Sequence, residues 1–165
     1  MRRVGASLGV LAVLACPGEP AAPPPLLQAS ILRASDTVRF EAPAAAHRCS
    51  EGKGIVIDAA GRGNGLLIWL ADTSNTWKGS FPVVGVHDTV TKHRAVVSVR
   101  FIASAVAHTL SLDSGTVMVR DSAGGLQIGV TGAGLDLNGG ARPHVKATFR
   151  ALRPPADSAS CVRVP

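Results

Sequence analysis

Apolar and polar residues alternate along most of this chain, and glycine-rich segments interrupt the alternation at short intervals. The alternation is clearest at residues 38–41, 55–57, 97–101, 110–119, 126–130 and 145–150. A strand with one buried and one wet face needs this period of two, because successive side chains point to opposite faces of a sheet. No stretch has a convincing helical periodicity. The pattern therefore predicts an all-β fold.

The alternating segments are short, and glycine-rich turns are predicted between them. These turns fall at residues 61–65, 113–115, 121–125 and 132–136. Short strands joined by tight turns form antiparallel hairpins. We therefore predict an antiparallel β-sandwich of about 7–9 short strands, with a small antiparallel β-barrel as the alternative. The sandwich is preferred because the segments differ in length and the loops are irregular.

The first sixteen residues have the layout of an export signal. Arg2 and Arg3 give a positive start, residues 4–14 are apolar, and Ala15 precedes Cys16. A membrane-spanning helix needs about 20 apolar residues, so this run is too short for one. Residues 13–16 resemble the lipobox of bacterial lipoproteins. The resemblance implies a signal peptide at residues 1–15 and lipidation of Cys16, with diacylglycerol and palmitate groups. A soluble secreted protein cut after Ala15 is the alternative.

The cysteine count agrees with this interpretation. The chain has three cysteines, Cys16, Cys49 and Cys161. If Cys16 carries lipid, two thiols remain in an oxidising compartment, where they form one bridge. A disulfide between Cys49 and Cys161 would close a loop of about 110 residues and stabilise the fold by roughly 4–5 kcal/mol. The cysteines have no metal-ligand spacing, so a zinc site is not predicted.

Residues 16–29 are predicted to form a tether, and residues 30–165 a single β-sandwich domain. Prolines at positions 17, 20, 23, 24 and 25 lie among alanines, a composition that favours extended chain over a packed core. Pro17 follows the lipidated cysteine, where enteric lipoproteins retained at the inner membrane carry aspartate. By that resemblance the protein is expected in the cell envelope, lipid-anchored at the outer membrane, on its periplasmic or surface face.

The charge distribution argues against nucleic acid as a partner. The chain has 17 Lys and Arg and 11 Asp and Glu. Without Arg2 and Arg3 the balance is 15 against 11, a net charge of +4. The basic residues are scattered, and the aromatic side chains that stack on bases make up only 4% of the chain.

Three further segments carry a family resemblance. Residues 77–83 contain a tryptophan–glycine–aromatic turn, residues 112–119 a Ser-Gly-Thr-Val strand, and residues 147–151 a strand before the last cysteine. Together they resemble a group of uncharacterised bacterial lipoproteins over roughly residues 49–161. The resemblance implies the small β-domain and the envelope location, and it implies no activity.

Two segments resemble catalytic or metal sites, and neither is interpreted as one. Residues 113–116 are similar to the active-site loop of aspartic proteases, but those enzymes need two such carboxylates and this chain has one copy. His87, Asp88 and His93 form the densest group of potential metal ligands. Lys92 lies between them and would repel a cation, so they are interpreted as polar surface residues. We therefore predict no catalytic residue, no metal, no cofactor and no enzyme activity.

Trp69 and Trp77 are the candidate interaction residues, if they are exposed. Trp69 is predicted on the opposite face of its strand from Leu66, Ile68 and Leu70. Either both faces of this strand are buried, or the indole of Trp69 is exposed. The predicted function is that of a membrane-anchored cell-envelope lipoprotein acting as a binding or structural module. Its partners would be the membrane, through the lipid, and an unidentified envelope protein or ligand. The alternative is a periplasmic small-ligand carrier, or a hydrolytic enzyme with a site assembled across the fold.

Overall fold

The computed structural model describes residues 23–50, 54–71, 77–88, 90–153 and 158–159. These residues form the strands β1 (Leu26–Leu32), β2 (Thr37–Cys49), β3 (Gly54–Gly61), β4 (Asn64–Ala71), β5 (Gly79–Pro82), β6 (Arg94–Ala103), β7 (Val106–Ser122), β8 (Gly125–Asp136), β9 (His144–Leu152) and β10 (Ser158–Ala159). The all-β, antiparallel prediction is confirmed. Within these ranges no helix is long and apolar enough to cross a bilayer.

Eight of the strands close into a barrel, in the order β1, β9, β8, β7, β6, β4, β3, β2. The ring closes at β1, which pairs with β9 on one side and with β2 on the other. A sandwich consists of two separate sheets with unpaired edge strands. In this ring every one of the eight strands is paired on both sides. The architecture is therefore the small barrel, the alternative prediction, and not the preferred sandwich. Its first strand begins at Leu26, four residues before the predicted start of the domain.

The inward-facing side chains of all eight barrel strands contribute to one apolar core. Phe101, Phe149 and Phe81 are fully buried and pack against leucine, isoleucine and valine side chains in a single cluster. An eight-stranded barrel has an interior just wide enough for side chains to fill it. Burial of each large apolar side chain contributes about 1.5–3 kcal/mol. This core is therefore the main source of stability of the barrel.

The two ends of the barrel, which we call the mouth and the base, hold different turns and strand ends. The mouth holds the turns at residues 33–36, 62–63, 104–105 and 137–143. At the base β1 begins, β2 ends at Cys49, and β10 pairs in parallel with the last residues of β2. The turn at residues 123–124 also lies at the base. The turns predicted near residues 62 and 123 are thus confirmed.

Strand β7 is 17 residues long and changes partner along its length. Its first part pairs with β6, and its second part pairs with β5. A bulge between Leu112 and Ser114 marks the change. After β5, Val83 bridges to Ala95 of β6. Strand β5 therefore fills the gap that opens where β7 diverges from β6.

Glycines allow β7 and β8 to approach closely at this bulge. Gly115 has a φ of 129°, and a Cβ atom there would lie 2.1 Å from the carbonyl oxygen of Thr131. A Cβ atom at Gly134 would lie 2.1 Å from the carbonyl oxygen of Ser111. The turns predicted at residues 113–115 and 132–136 are therefore wrong. Both segments lie within strands, where glycine permits a close backbone contact and no chain reversal occurs.

Candidate functional site at the barrel mouth

A histidine and an aspartate face inward at the mouth. In the strand register His108 lies opposite Phe101, and Asp136 lies opposite Leu110. Directly opposed residues point to the same side of a sheet, so both side chains follow the inward phase. Asp136 is only 3% exposed. A carboxylate at such a position needs partners, because burial of an unpaired charge is costly.

Hydrogen bonds hold the pair in place. His108 Nδ1 lies 2.8 Å from Asp136 Oδ2, and because an ionised carboxylate only accepts, we assign the proton to Nδ1. Asp136 Oδ1 accepts the backbone N–H of Asn138 at 3.0 Å. The Asp136 backbone donates to the Ala141 carbonyl and accepts from the Gly140 N–H, both at 2.8 Å. Asp136 thus fixes the imidazole and also orders the loop after β8.

The same contacts keep Asp136 ionised at neutral pH. Burial by itself raises the pKa of Asp136. The N–H of Asn138, the hydrogen bond from His108 and the positive charge of Arg33 outweigh burial, and the pKa lies below the ordinary value of 3.8.

Arg33 follows β1 and brings a cation to the mouth. Its Nε lies 3.5 Å from Asp36 Oδ1, and its guanidinium carbon lies 6.0 Å from the centre of the Phe101 ring. Phe101 in turn stacks on His108, with ring centres 5.0 Å apart and planes inclined by 11°. Arg33 Nη1 is buried and has no hydrogen-bond partner among the described residues. The guanidinium therefore retains one unsatisfied donor next to the mouth pair.

Exposed apolar side chains lie at the same end of the barrel as this polar centre. We call them the mouth rim: Leu32, Ile102, Val106, Leu135 and Leu137. Leu137, in the loop that Asp136 orders, is 61% exposed. Ligand sites commonly combine apolar walls with a few fixed polar groups. At this end of the barrel, Val106 shares the inward phase of His108. Leu32, Ile102 and Leu135 follow the outward phase of their strands.

The mouth offers one group suited to proton transfer. With Nδ1 held by Asp136, the lone pair of His108 lies on Nε2, where it can accept a proton or a hydrogen bond. No hydrogen bond from a hydroxyl or thiol to Nε2 is present in the described part of the chain. In the same part, no three His, Cys, Asp or Glu side chains come together as a metal site. The mouth therefore presents an imidazole whose tautomer is fixed by a carboxylate, with the guanidinium of Arg33 nearby.

Sequence analysis did not identify the mouth pair. His108 and Asp136 are 28 residues apart and belong to no motif. The sequence carries one signal of this pair. His108 is two positions from the inward-facing Leu110, and Asp136 is six positions from the inward-facing Val130, so each shares the inward face of its strand. A polar residue in an inward phase is rarely buried without a partner.

The predicted group His87, Asp88 and His93 does not form a common site. Asp88 accepts the backbone N–H groups of Val90 and Thr91 at 2.9 and 3.1 Å, which lowers its pKa, chiefly through Thr91. His93 stacks on Phe81 with ring centres 4.2 Å apart. His87 is exposed in the loop. Asp88 thus organises a turn.

Asp113 of the protease-like segment is engaged in a surface ion pair. Arg142 donates two hydrogen bonds to its carboxylate, at 2.8 and 2.7 Å. This contact lowers the pKa of Asp113 and raises that of Arg142. An aspartic protease instead needs two carboxylates that share one proton. Asp113 is therefore one partner of an exposed ion pair beside the β7 bulge, and no second carboxylate is paired with it in the described residues.

The two tryptophans lie at different places and are both half-buried. Trp69 lies on the outer wall between Val56 and Val96 of the neighbouring strands. The guanidinium carbon of Arg94 lies 5.1 Å from the centre of its ring, a cation–π distance. Trp77 packs against the core. Their role as interaction residues stays a prediction.

Two of the three cysteines, Cys16 and Cys161, lie outside the described residues. Cys49 ends β2 and is paired in register with Ala159 of β10, which precedes Cys161 by two residues. The signal peptide, the lipid on Cys16 and the Cys49–Cys161 bridge stay predictions.

Comparison with known proteins gives no match for this chain among protein families, curated proteins or solved structures. The resemblance to uncharacterised lipoproteins stays a prediction. The function must therefore be inferred from the geometry of the barrel itself.

Proposed function

We propose that this chain is a lipid-anchored protein of the bacterial cell envelope that acts as a binding module, with the barrel mouth as its binding site. The observation that carries the proposal is the buried pair His108–Asp136 beside Arg33, at one end of an otherwise apolar barrel. Buried ionic groups contribute little net stability compared with apolar residues of the same size. The cluster is therefore better explained by recognition at the mouth than by stability alone.

The packed interior supports a module over a carrier. A carrier of small apolar ligands needs a lined cavity of a few hundred cubic ångströms. Most inward positions of the described strands are filled by buried side chains, with Phe101 fully buried and stacked on His108. Most of the inward side chains of β2 are partly buried and pack against this core. A ligand is therefore expected to bind across the mouth.

The position of the N-terminus is compatible with a lipid anchor. The chain enters the barrel at Leu26, at the base, and β1 runs from there to Leu32 at the mouth. Seven residues of strand span about 20 Å. A tether attached to Cys16 would therefore join the barrel at the end opposite the binding site and leave the mouth free.

The pairing of β10 supports the proposed disulfide. Ala159 lies beside Cys49, and Cys161 follows only two residues later. A bridge there would fix the end of the chain to the base. Intact mass of the purified protein tests both modifications: loss of residues 1–15, addition of lipid, and a further loss of two protons for the bridge. Full-length, unmodified chain would contradict the anchoring.

Site-specific photo-cross-linking in intact cells tests the binding site. A photoreactive residue at Leu137, in the mouth rim, is expected to give an adduct that His108→Ala weakens. The matched control is the same residue at Ala123, in the exposed turn at the base. Equal adducts at both positions, or none at Leu137, would contradict a binding site at the mouth.

A hydrolase is the second candidate, and the His108–Asp136 geometry favours it. A carboxylate that holds Nδ1 of an imidazole fixes its tautomer for general-base catalysis at Nε2. A panel of activated esters assayed with the wild type, His108→Ala and the exposed control His144→Ala tests this candidate. Activity that only His108→Ala abolishes would support it, and activity absent throughout would contradict it.

A further inference from the structure

A shallow groove runs across the outer wall of the barrel where β1 lies between β2 and β9. Its volume is about 570 Å³. Ser30 of β1 forms its floor and is paired in register with Arg39 of β2 and with Lys146 of β9. All three side chains are in the outward phase, because Ala29 and Ile31 of β1 are buried. Two cations therefore flank one hydroxyl on adjacent strands, which lie about 4.8 Å apart.

The two cations of the groove are uncompensated. Arg39 and Lys146 are exposed, and neither has an ion pair with a described carboxylate. The one carboxylate that lines the groove, Glu41, accepts a hydrogen bond from Gln28 at 2.8 Å. The groove therefore keeps a net positive charge, with hydroxyl and amide groups as additional hydrogen-bonding partners.

The same wall carries one further basic residue. Arg150 of β9 is exposed and follows the outward phase of its strand. With Arg39 and Lys146, and against Glu41, it gives this wall a net charge of +2. Elsewhere in the described residues, aspartates form ion pairs with basic side chains, as in Asp121–Lys78 and Asp113–Arg142. The basic residues of the β1 wall thus have no described aspartate as a partner.

The wall also carries the N-terminal end of the barrel. Strand β1, at the centre of the groove, is the strand that the proposed tether enters at Leu26. An anchored barrel would therefore have this wall, and not the opposite one at β6, closest to its point of attachment. An anionic lipid surface attracts basic residues and presents phosphate groups that arginine and lysine bind.

We propose that the groove at Ser30, Arg39 and Lys146 binds the phosphate of an anionic phospholipid headgroup, so that the barrel docks side-on against the membrane. The inference goes beyond the proposed function and rests on its membrane location. In this orientation the β1 wall faces the lipid and the mouth opens parallel to the surface. The mouth site therefore stays accessible while the barrel is docked.

The experiment measures partition of the full chain onto phospholipid vesicles. Cys16→Ser prevents acylation, and the apolar leader is present in every variant. The quantity compared is the partition onto vesicles containing roughly one third phosphatidylglycerol, divided by that onto pure phosphatidylcholine. Each basic residue near an anionic surface contributes about 1 kcal/mol. Arg39→Gln with Lys146→Gln is therefore expected to lower the ratio roughly 30-fold.

Matched variants separate the groove from net charge. Lys92→Gln with Arg100→Gln removes the same charge at β6 and the loop before it, across the barrel from β1, and should leave the ratio within about twofold of that of the parent. Ser30→Asp places a carboxylate in the groove floor and should abolish the preference. Melting curves check that each variant is folded. Intact mass reports acylation of the unaltered chain separately, so failure of the anchor and failure of the groove are distinguishable.

Three results would overturn the proposal. The first is an equal loss in the groove and control variants, which would show that only net charge matters. The second is a ratio that Ser30→Asp does not change. The third is displacement from phosphatidylglycerol vesicles by millimolar glycerol phosphate, which would assign the groove to a soluble phosphate ester.

Discussion

The close approach of β7 and β8 at the bulge makes Gly115 sensitive to the addition of any side chain. A Cβ atom there would lie 2.1 Å from the Thr131 carbonyl oxygen and 2.4 Å from the Gly132 Cα. Both atoms belong to the backbone, so no side-chain rotation relieves the clash. The φ of 129° adds strain for any residue with a Cβ. Backbone strain of about 1–3 kcal/mol and overpacking of about 1–3 kcal/mol together predict a loss of roughly 2–6 kcal/mol for Gly115→Ala.

Urea denaturation and thermal melting measure this loss. A domain of this size has a stability of about 5–15 kcal/mol, and each kcal/mol shifts its melting temperature by roughly 2–4 °C. Gly115→Ala should therefore melt about 10 °C lower than the wild type. The control is Gly129→Ala in β8, where a Cβ atom meets nothing within 4 Å and the change is expected to be within about 1 kcal/mol of neutral. Equal stabilities of the two variants would refute the close approach.

Three further predictions concern other groups. The pKa of Asp136 is lowered, so its stabilising contribution is present above the unfolded pKa near 3.9 and is lost as the pH falls through the lower folded value. Asp136→Asn should therefore weaken the pH dependence of the free energy of unfolding, measured in urea between about pH 5 and 2. The same pH dependence in the variant and the wild type would contradict the lowered pKa. Asp113→Ala breaks an exposed pair with Arg142 and should lower the melting temperature only slightly, whereas a large drop would show that the pair supports the bulge. Cys49→Ser should lose about 4–5 kcal/mol under oxidising conditions and become insensitive to dithiothreitol; a variant as stable as the oxidised wild type would contradict the bridge.

The class of fold follows from the sequence, but the closure of the barrel does not. The alternation in residues 97–101 and 145–150 identifies strands and their inward faces without knowledge of their partners. The choice between sandwich and barrel depends on whether β1 pairs with β9, a contact between residues more than 100 positions apart. Pro23, Pro24 and Pro25 directly precede β1, so its first residues were assigned to the tether. Nothing local in the sequence indicates that Leu26 begins a strand.

The mouth site depended on register, which periodicity does not determine. Both His108 and Asp136 have an inward phase, yet a slip of one residue between β7 and β8 would separate them. The bulge after Leu112 sets that register. The residues at the bulge, Ser114-Gly115, have the composition of a turn, so the sequence predicts a chain reversal in the middle of β7. The same misinterpretation hid the length of β7 and the contact that it makes with Asp136.

The pairing of β1 with β9 also sets the order of folding events. The ring needs Leu27 near the start of the chain and Phe149 near its end, which lie opposite each other, so no shorter fragment can complete the barrel. Loop closure over such a separation is slow compared with formation of local hairpins. A chain passing through a narrow translocation channel would therefore remain open, and threadable, until almost all of it had emerged. Delayed closure of the ring would suit the export that the lipobox resemblance implies.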